Sequence, residues 1–356
     1  MNFEKGKRIH FHTFDSLRFL SFLLVFIQHA PVPEGSILRY FSRGEVGVSF
    51  FFVLSGFLIT YILILEKLNN QTIPLKKFFK RRILRIWPLY YAMVIFAFCT
   101  PYIINFFHLP FSNKGYEPNL FLTITFLENY KMMSTGMLAN VSPLPVIWSL
   151  CVEEHFYIIW GCIMYFISLK NIPKLIVVCI FISFVSRIIY HMLGISSLDI
   201  FTNISYFAFG AIPAYLFVFK KDIIRKLSMI PSIYKYLYFF IVILAIALLP
   251  DIIFFKHIQI GIIIFGILFS VLILFTLGDR NVFKISDRSI FGRLGKYTYG
   301  LYLIHTICLV LFDRIGKKYD LSNYTVIISA LLFTIFLAYL SYHLFEKQFL
   351  KLKKSV

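Results

Sequence analysis

The chain has 356 residues, of which 59% are hydrophobic and only 15% are charged. Soluble domains are usually about half apolar and about a quarter charged, so this composition indicates a membrane protein. The net charge of +19 does not indicate nucleic-acid binding, because the basic residues fall in short clusters between apolar runs, as membrane topology requires. The five cysteines lie in apolar surroundings without a CxxC pair, so neither disulfides nor a metal site is predicted.

Apolar runs of about 17 to 23 residues recur along the chain, and each is long enough to cross roughly 30 Å of hydrocarbon. They predict an all-α polytopic membrane protein in which residues 1–356 form one membrane-embedded domain of about ten helices. The predicted spans are 15–33, 46–65, 87–105, 145–167, 175–193, 203–219, 236–250, 258–277, 297–313 and 324–345. The longest segment between them is a predicted loop at 106–144, so any chemistry is expected within the bundle or at its rims.

The distribution of basic residues predicts the orientation of this bundle. With the N-terminus inside, the inner segments carry roughly three times as many Lys and Arg residues as the outer loops. Cytoplasmic loops of membrane proteins show such an excess, so both termini are expected in the cytoplasm.

The first predicted span contains an arginine and a histidine, Arg18 and His29. They are eleven positions apart, close to three helical turns, so they share one helix face and lie roughly 16 Å apart along its axis. An arginine at the middle of a membrane helix costs roughly 2.5 kcal/mol or more, which suggests a functional reason for the pair. The alternative is that Arg18 extends to the lipid headgroups and His29 is a hydrogen-bonded bundle residue.

The second predicted span contains the small residues Gly47, Ser55 and Gly56. Small residues at such spacing let neighbouring membrane helices approach closely. These three positions are therefore interpreted as packing residues.

A basic segment before the third span ends with Arg82 and Arg85. The two arginines are three positions apart, so on a helix they face the same way. The guanidinium group of arginine can donate two parallel hydrogen bonds to a phosphate, so the pair suits a phosphate-bearing ligand at the cytoplasmic end of the bundle. Attraction to anionic lipids explains such a basic segment equally well, so both interpretations stay open.

The fourth predicted span begins with a dense group of polar residues that includes Ser149, Glu153, Glu154 and His155. Ser149 and Glu153 are four positions apart and share a helix face, whereas Glu154 points about 100° away. One glutamate can therefore face a site while the other pairs elsewhere. A buried carboxylate beside a histidine can orient the imidazole and raise its basicity, so a functional role is favoured here.

The ninth predicted span contains a further histidine, His305, preceded by Tyr299 and Tyr302. A hydrogen-bonded core histidine is the more common role for such a residue. Ligand contact is the second interpretation.

These motifs, in this order, resemble the acyltransferase-3 family of bacterial integral membrane acyltransferases. That family is marked by R-x10-H in the first helix, a GGxxGVxxFFVLSGFL-like second helix, an RxxR motif, a WSLxxE-type motif and a YGLYLIH run. The matching positions are Arg18 and His29, Arg82 and Arg85, Ser149 and Glu153, and His305. The resemblance covers essentially the whole chain; one departure is Arg43, which stands where the family usually has glycine.

The resemblance implies transfer of an acyl group, usually acetyl, from cytoplasmic acyl-CoA to a sugar hydroxyl outside the cell, with no permanently bound cofactor. It implies that His29 is a general base assisted by Glu153, although a covalent acyl-His29 intermediate stays open. Arg82, Arg85 and Arg18 are expected to hold the phosphates of acyl-CoA. The expected catalytic residues are His29, Glu153 and Arg18, and the expected substrate-binding residues are Arg82, Arg85, Ser149, Glu154, Tyr157 and His305.

The same resemblance places the protein in the inner (cytoplasmic) membrane as a multi-pass protein. Its expected partners are the lipid bilayer, acyl-CoA and a carbohydrate acceptor such as a surface polysaccharide or lipid-linked glycan. An alternative class is an exporter of polysaccharide or lipid-linked sugar, which would show inverted repeats or charges spread over several central helices. In this chain the polar residues concentrate at the acyltransferase motifs, so the sequence favours an acyltransferase over an exporter.

Overall fold

The computed structural model describes residues 9–106, 108, 114–252, 260–278, 284–286 and 288–355. All regular structure in these ranges is helical, and the only strand-like pairing in them is an isolated bridge between Tyr116 and Ala139. The predicted all-α class is therefore confirmed.

The helices follow the predicted spans and add short segments between them. The α-helices are α1 (His12–His29), α2 (Gly44–Asn70), α3 (Leu75–Phe106), α4 (Leu120–Ile124), α5 (Glu128–Thr135), α6 (Trp148–Phe166), α7 (Ile172–Met192), α8 (Ile200–Phe219), α9 (Lys221–Met229), α10 (Ser232–Leu248), α11 (Ile260–Thr276), α12 (Ile290–Gly295), α13 (Thr298–Lys318), α14 (Asn323–Leu340) and α15 (Lys347–Lys351). Short 3-10 turns lie at Ile37–Phe41, Leu144–Val146, Leu169–Asn171, Leu249–Asp251 and Leu352–Ser355, and a π-helical turn at Ser341–Glu346 joins α14 to α15.

A helix lies in each of the ten predicted intervals, and within the described ranges seven helical segments are long and apolar enough to cross a membrane. The other three are α1, α6 and α11. Helices α1 and α6 carry the charged residues of the sequence motifs, which lowers their hydropathy, and α11 has only 17 residues. The count of ten spans and the orientation of the termini stay predictions.

Helix α2 lies at the centre of the bundle and packs most closely against α8. Gly56 and Gly210 make this crossing possible, because a Cβ atom on Gly56 would lie 2.1 Å from the Phe207 carbonyl oxygen, and one on Gly210 would lie 2.0 Å from the Val53 carbonyl oxygen. Backbones in such close contact need glycine. The packing role predicted for Gly56 is therefore confirmed.

Helix α12 packs against the first turns of α1 in the same way. A Cβ atom on Gly295 would lie 2.0 Å from the Asp15 carbonyl oxygen. This close approach places residues 295–299 beside Arg18.

The segment 114–147 covers the N-terminal end of α6. Glu128 is fully buried in it and accepts hydrogen bonds from the Tyr116 hydroxyl at 2.8 Å and the Thr123 hydroxyl at 2.9 Å. Burial, together with the Glu128 carboxylate, raises the pKa of Tyr116, so its hydroxyl remains a donor. The same segment contains Val146, whose carbonyl oxygen contacts the site described below.

Lys67 of α2 caps the C-terminal end of α6. Its Nζ donates to the carbonyl oxygens of Met164 and Tyr165, both at 2.9 Å, and of Ile167 at 2.6 Å. The last carbonyls of a helix have no partner within the helix, and a cation also matches the negative end of the helix dipole. Lys67 therefore ties α6 to α2.

We expect Lys67→Met to lower the free energy of unfolding by about 2 kcal/mol, because it removes hydrogen bonds to a charged group while keeping a long unbranched side chain. Thermal unfolding of the purified protein in detergent measures this loss. Lys170→Met is the matched control, since Lys170 is exposed just beyond the same end of α6. Equal losses in the two variants would contradict the capping role.

Candidate active site

A cavity of about 450 Å³ lies between α1, α2, α3, α6 and α13, and the C-terminal segment forms part of its wall. Its lining includes His10, Lys296 and Lys353 near one end, beside the N-terminal turns of α1 and α3. The opposite end is lined mainly by apolar side chains of α2 and α6. The cavity is thus basic at one end and apolar at the other.

Three arginines of the sequence motifs line this cavity: Arg18, Arg82 and Arg85. Arg18 Nη1 lies 2.7 Å from Asp15 Oδ1. The guanidinium carbon of Arg82 lies 5.8 Å from the centre of the Tyr157 ring, and its buried Nε has no hydrogen-bond partner among the residues that the structure describes. The lining holds three arginines and two lysines against three carboxylates, those of Asp15, Glu153 and Glu346, and this excess of positive charge suits an anionic ligand such as a phosphate.

Glu153 lies midway along the cavity and is held by two hydroxyl groups. The Ser55 hydroxyl donates to Glu153 Oε1 at 2.6 Å, and the Tyr157 hydroxyl donates to the same oxygen. Ser55 and Tyr157 also lie 3.2 Å apart. One donor lies on α2 and the other on α6, so the two hydrogen bonds hold the carboxylate in one orientation. It faces the cavity that the three arginines also line.

Glu154 lies on another face of α6 and is outside the cavity lining. It is buried against α3, where Trp87 Nε1 lies 3.5 Å from Glu154 Oε2. The two adjacent glutamates therefore diverge, as the 100° offset on a helix predicts. The cavity gives no support to the predicted substrate contact of Glu154.

The apolar end of the cavity contains one pair of hydroxyl groups. Ser149 Oγ lies 2.7 Å from the Tyr302 hydroxyl, and Tyr302 donates to the carbonyl oxygen of Val146 at 3.0 Å. The apolar side chains around this pair are those of Val48, Phe51, Phe52 and Leu150. A polar atom of a ligand that reached this end would meet Ser149 and Tyr302.

Two histidines lie beyond this end of the cavity and are not part of its lining. His305 is fully buried, and its Nδ1 lies 2.6 Å from the carbonyl oxygen of Tyr302. Its Nε2 lies 3.2 Å from Nδ1 of His29. His29 is the last residue of α1; it is exposed, and its Nδ1 also lies 2.9 Å from the carbonyl oxygen of Val25.

These contacts determine which nitrogen of each histidine carries the proton. Carbonyl oxygens only accept hydrogen bonds, so Nδ1 is the protonated nitrogen in both rings. Nε2 of His305 then accepts part of the hydrogen bond from His29 Nδ1. In neutral His29, Nε2 keeps a lone pair that can take a proton from a hydroxyl group.

The structure does not bring His29 and Glu153 together in the way the sequence suggested. The described hydrogen bonds of Glu153 go to Ser55 and Tyr157, and those of His29 go to Val25 and His305. The connection between them is indirect. Ser149, one turn before Glu153 on α6, contacts the Tyr302 hydroxyl, and the Tyr302 carbonyl oxygen contacts His305, the partner of His29.

Sequence reasoning missed three contributions to the site. Ser55 was interpreted as a packing residue, Tyr302 had no assigned role, and Glu346 was not considered. Glu346 lines the cavity from the π-helical turn and accepts a hydrogen bond from Ser341 at 3.0 Å. Their chemistry could have identified them. A hydroxyl or carboxyl group within an apolar span needs a hydrogen-bond partner, and such polar pairs inside a membrane bundle often belong to a functional site.

Fold and site together define a polytopic helical membrane protein with a basic cavity at one end and a histidine pair beyond the other. A family model described as an acyltransferase domain matches residues 11–343. The chain therefore belongs to the acyltransferase-3 family, as its motifs predict.

Named relatives agree with this family. The chain is 28% identical over 356 residues to the "O-acetyltransferase OatA" of Staphylococcus aureus (strain NCTC 8325 / PS 47), an alignment that covers 93% of this chain and 56% of the relative. It is 31% identical over 168 residues to the "Peptidoglycan O-acetyltransferase OatA" of Listeria monocytogenes, covering 46% of this chain and 25% of that protein. The chain thus spans little more than half the length of the staphylococcal relative. No solved structure matches it.

The unequal exposure of the two histidines can be tested by chemical modification. We expect diethyl pyrocarbonate, which acylates unprotonated imidazole, to modify exposed His29 and to spare buried His305 in the protein embedded in nanodiscs. Mass spectrometry of the peptides identifies the modified residue, and His29→Asn should remove that adduct. Modification of His305 without modification of His29 would contradict the geometry.

Proposed function

We propose that this chain is an O-acetyltransferase that moves an acetyl group from cytoplasmic acyl-CoA to a hydroxyl of a cell-surface or exported polysaccharide. The observation that carries the proposal is a cavity with three arginines at one end and a histidine pair just beyond the other. The printed names of the relatives support O-acetyl transfer, and one of them names peptidoglycan. Family membership favours this activity over sugar export.

The basic end of the cavity suits the phosphate groups of the donor. Arg82 and Arg85 present guanidinium groups from successive turns of α3, and Arg18 presents one from α1, positioned by Asp15. Forked donors bind phosphate oxygens with charge-assisted hydrogen bonds. The predicted orientation of the bundle puts this end at the cytoplasmic side, where acyl-CoA is available.

The middle and apolar parts of the cavity suit the pantetheine arm and the thioester. Glu153 can accept a hydrogen bond from an amide N–H of the arm, because Ser55 and Tyr157 hold its carboxylate in place. Ser149 can turn its hydroxyl from Tyr302 to the thioester carbonyl oxygen, where negative charge develops during attack, while Tyr302 keeps its own proton on the Val146 carbonyl oxygen. This places the acetyl group at the apolar end.

His29 is the general base in this mechanism. Its Nε2 removes the proton of the acceptor hydroxyl as the oxygen attacks the thioester carbon, and CoA leaves as the thiolate. The Val25 carbonyl oxygen and His305 Nε2 both accept from the Nδ1–H of His29, which stabilises the imidazolium that forms. Glu153 assists from the donor side, without contact with His29.

We expect His29→Ala to abolish acetyl transfer, with a loss of about 10²-fold or more, because removal of a general base costs about that much. Release of CoA from acetyl-CoA, followed in nanodiscs with a peptidoglycan fragment as acceptor, measures it, and binding of acetyl-CoA should persist. His191→Ala is the matched control, since His191 is an exposed histidine near the end of α7. Full activity of His29→Ala would overturn this mechanism.

We expect Arg85→Ala to raise KM for acetyl-CoA about tenfold or more, because one charge-assisted hydrogen bond is worth about 1.5 kcal/mol or more. Lys80→Ala removes an equal charge from an exposed position of α3 that does not line the cavity, and its KM should stay unchanged. Equal effects would show that the segment serves anionic lipids instead. If the wild-type chain neither binds nor turns over any acyl-CoA, the proposed function is wrong.

A further inference from the structure

One face of α2 runs along the length of the cavity. Val48, Phe51, Ser55 and Leu58 line it and are separated by three, four and three positions, which is the spacing of one helix face. Ser55 holds Glu153 at mid-cavity. Leu58 therefore lies on the side of the basic end, whereas Phe51 and Val48 lie on the side of the Ser149–Tyr302 pair.

Phe51 lines the apolar end of the cavity beside Tyr302. Its ring stands nearly perpendicular to the Tyr302 ring, with centres 6.1 Å apart. It packs against both hydrophobic clusters of the bundle, of which the smaller contains Phe22 and Phe26, the residues that flank His305. Phe51 thus forms one wall of this end, and Val48 lines the cavity one helical turn further on.

The neighbouring wall is rigid. Phe52 is almost fully buried and stacks on Phe207 of α8, with ring centres 4.7 Å apart. Phe207 in turn lies against Gly56, where a Cβ atom could not fit. Phe52 is held in place by this packing, whereas the half-buried Phe51 beside it is the large side chain that narrows this end of the cavity.

We propose that Phe51 sets the length of the acyl group and restricts the donor to short acyl groups, with acetyl preferred. This rests on the proposed function, in which the arginines hold the phosphates and Ser149 holds the thioester carbonyl oxygen. Because the donor is held at both points, the additional methylenes of a longer acyl group extend beyond the thioester, into the space that the Phe51 ring narrows.

The test compares acyl-CoA donors of different length. The full chain in nanodiscs is given acetyl-CoA, butyryl-CoA or hexanoyl-CoA, and CoA release yields kcat/KM for each. Phe51→Ala should raise the butyryl-to-acetyl ratio by about tenfold or more, since one methylene in an apolar pocket is worth about 10- to 200-fold. Phe51→Leu removes less volume, should raise the ratio less, and carries the test if the alanine variant does not fold.

Leu58→Ala is the matched control. It shortens an apolar side chain on the same face of the same helix, but beside the arm and not the acyl group, so the butyryl-to-acetyl ratio should stay at the wild-type value. An unchanged ratio in both Phe51 variants, or an equal rise in Leu58→Ala, overturns the role of Phe51 while leaving the proposed function intact. Loss of all acyl-CoA turnover by the wild type overturns both.

Discussion

Polar side chains inside an apolar helical bundle are costly unless each has a partner, and this constraint shapes the whole interior of the molecule. Arg18 has Asp15, Glu153 has Ser55 and Tyr157, and His305 has a backbone carbonyl oxygen and His29. Two of these contacts join different helices, Ser55 of α2 with Glu153 of α6 and His29 of α1 with His305 of α13, so they determine which faces of these helices point inward. The close crossing of α2 and α8 at Gly56 and Gly210 then completes the bundle around those faces.

The cavity and the histidine pair are linked through one turn of α13. The cavity changes from basic to apolar along its length, and His29 has an exposed side beyond the apolar end. Tyr302 connects the two, because its hydroxyl pairs with Ser149 inside the cavity while its carbonyl oxygen accepts from His305 outside it. In the proposed function, this turn of α13 would couple the position of the thioester to the orientation of His29.

Local patterns predicted the parts of this arrangement that depend on one helix at a time. The eleven-residue spacing put Arg18 and His29 on α1, and the four-residue spacing aligned Ser149 with Glu153, since helical periodicity is a local property. The pairing of Glu153 with His29 did not follow, because both lie near polar groups on several helices and periodicity cannot choose among them. The partner of Glu153, Ser55, is 98 positions away, and the partner of His29, His305, is 276 positions away.

The sequence by itself determined that the protein is helical, membrane-embedded and a member of the acyltransferase-3 family, because hydropathy, charge distribution and motif order are all written along the chain. Only the tertiary structure decided that Glu154 lies outside the cavity, that His29 pairs with His305, and that Phe51 lines the apolar end of the cavity beside Tyr302. Each of these depends on which helix packs against which. That choice is made by close backbone contacts and by the partners that polar groups find across the bundle, and neither can be read from one segment alone.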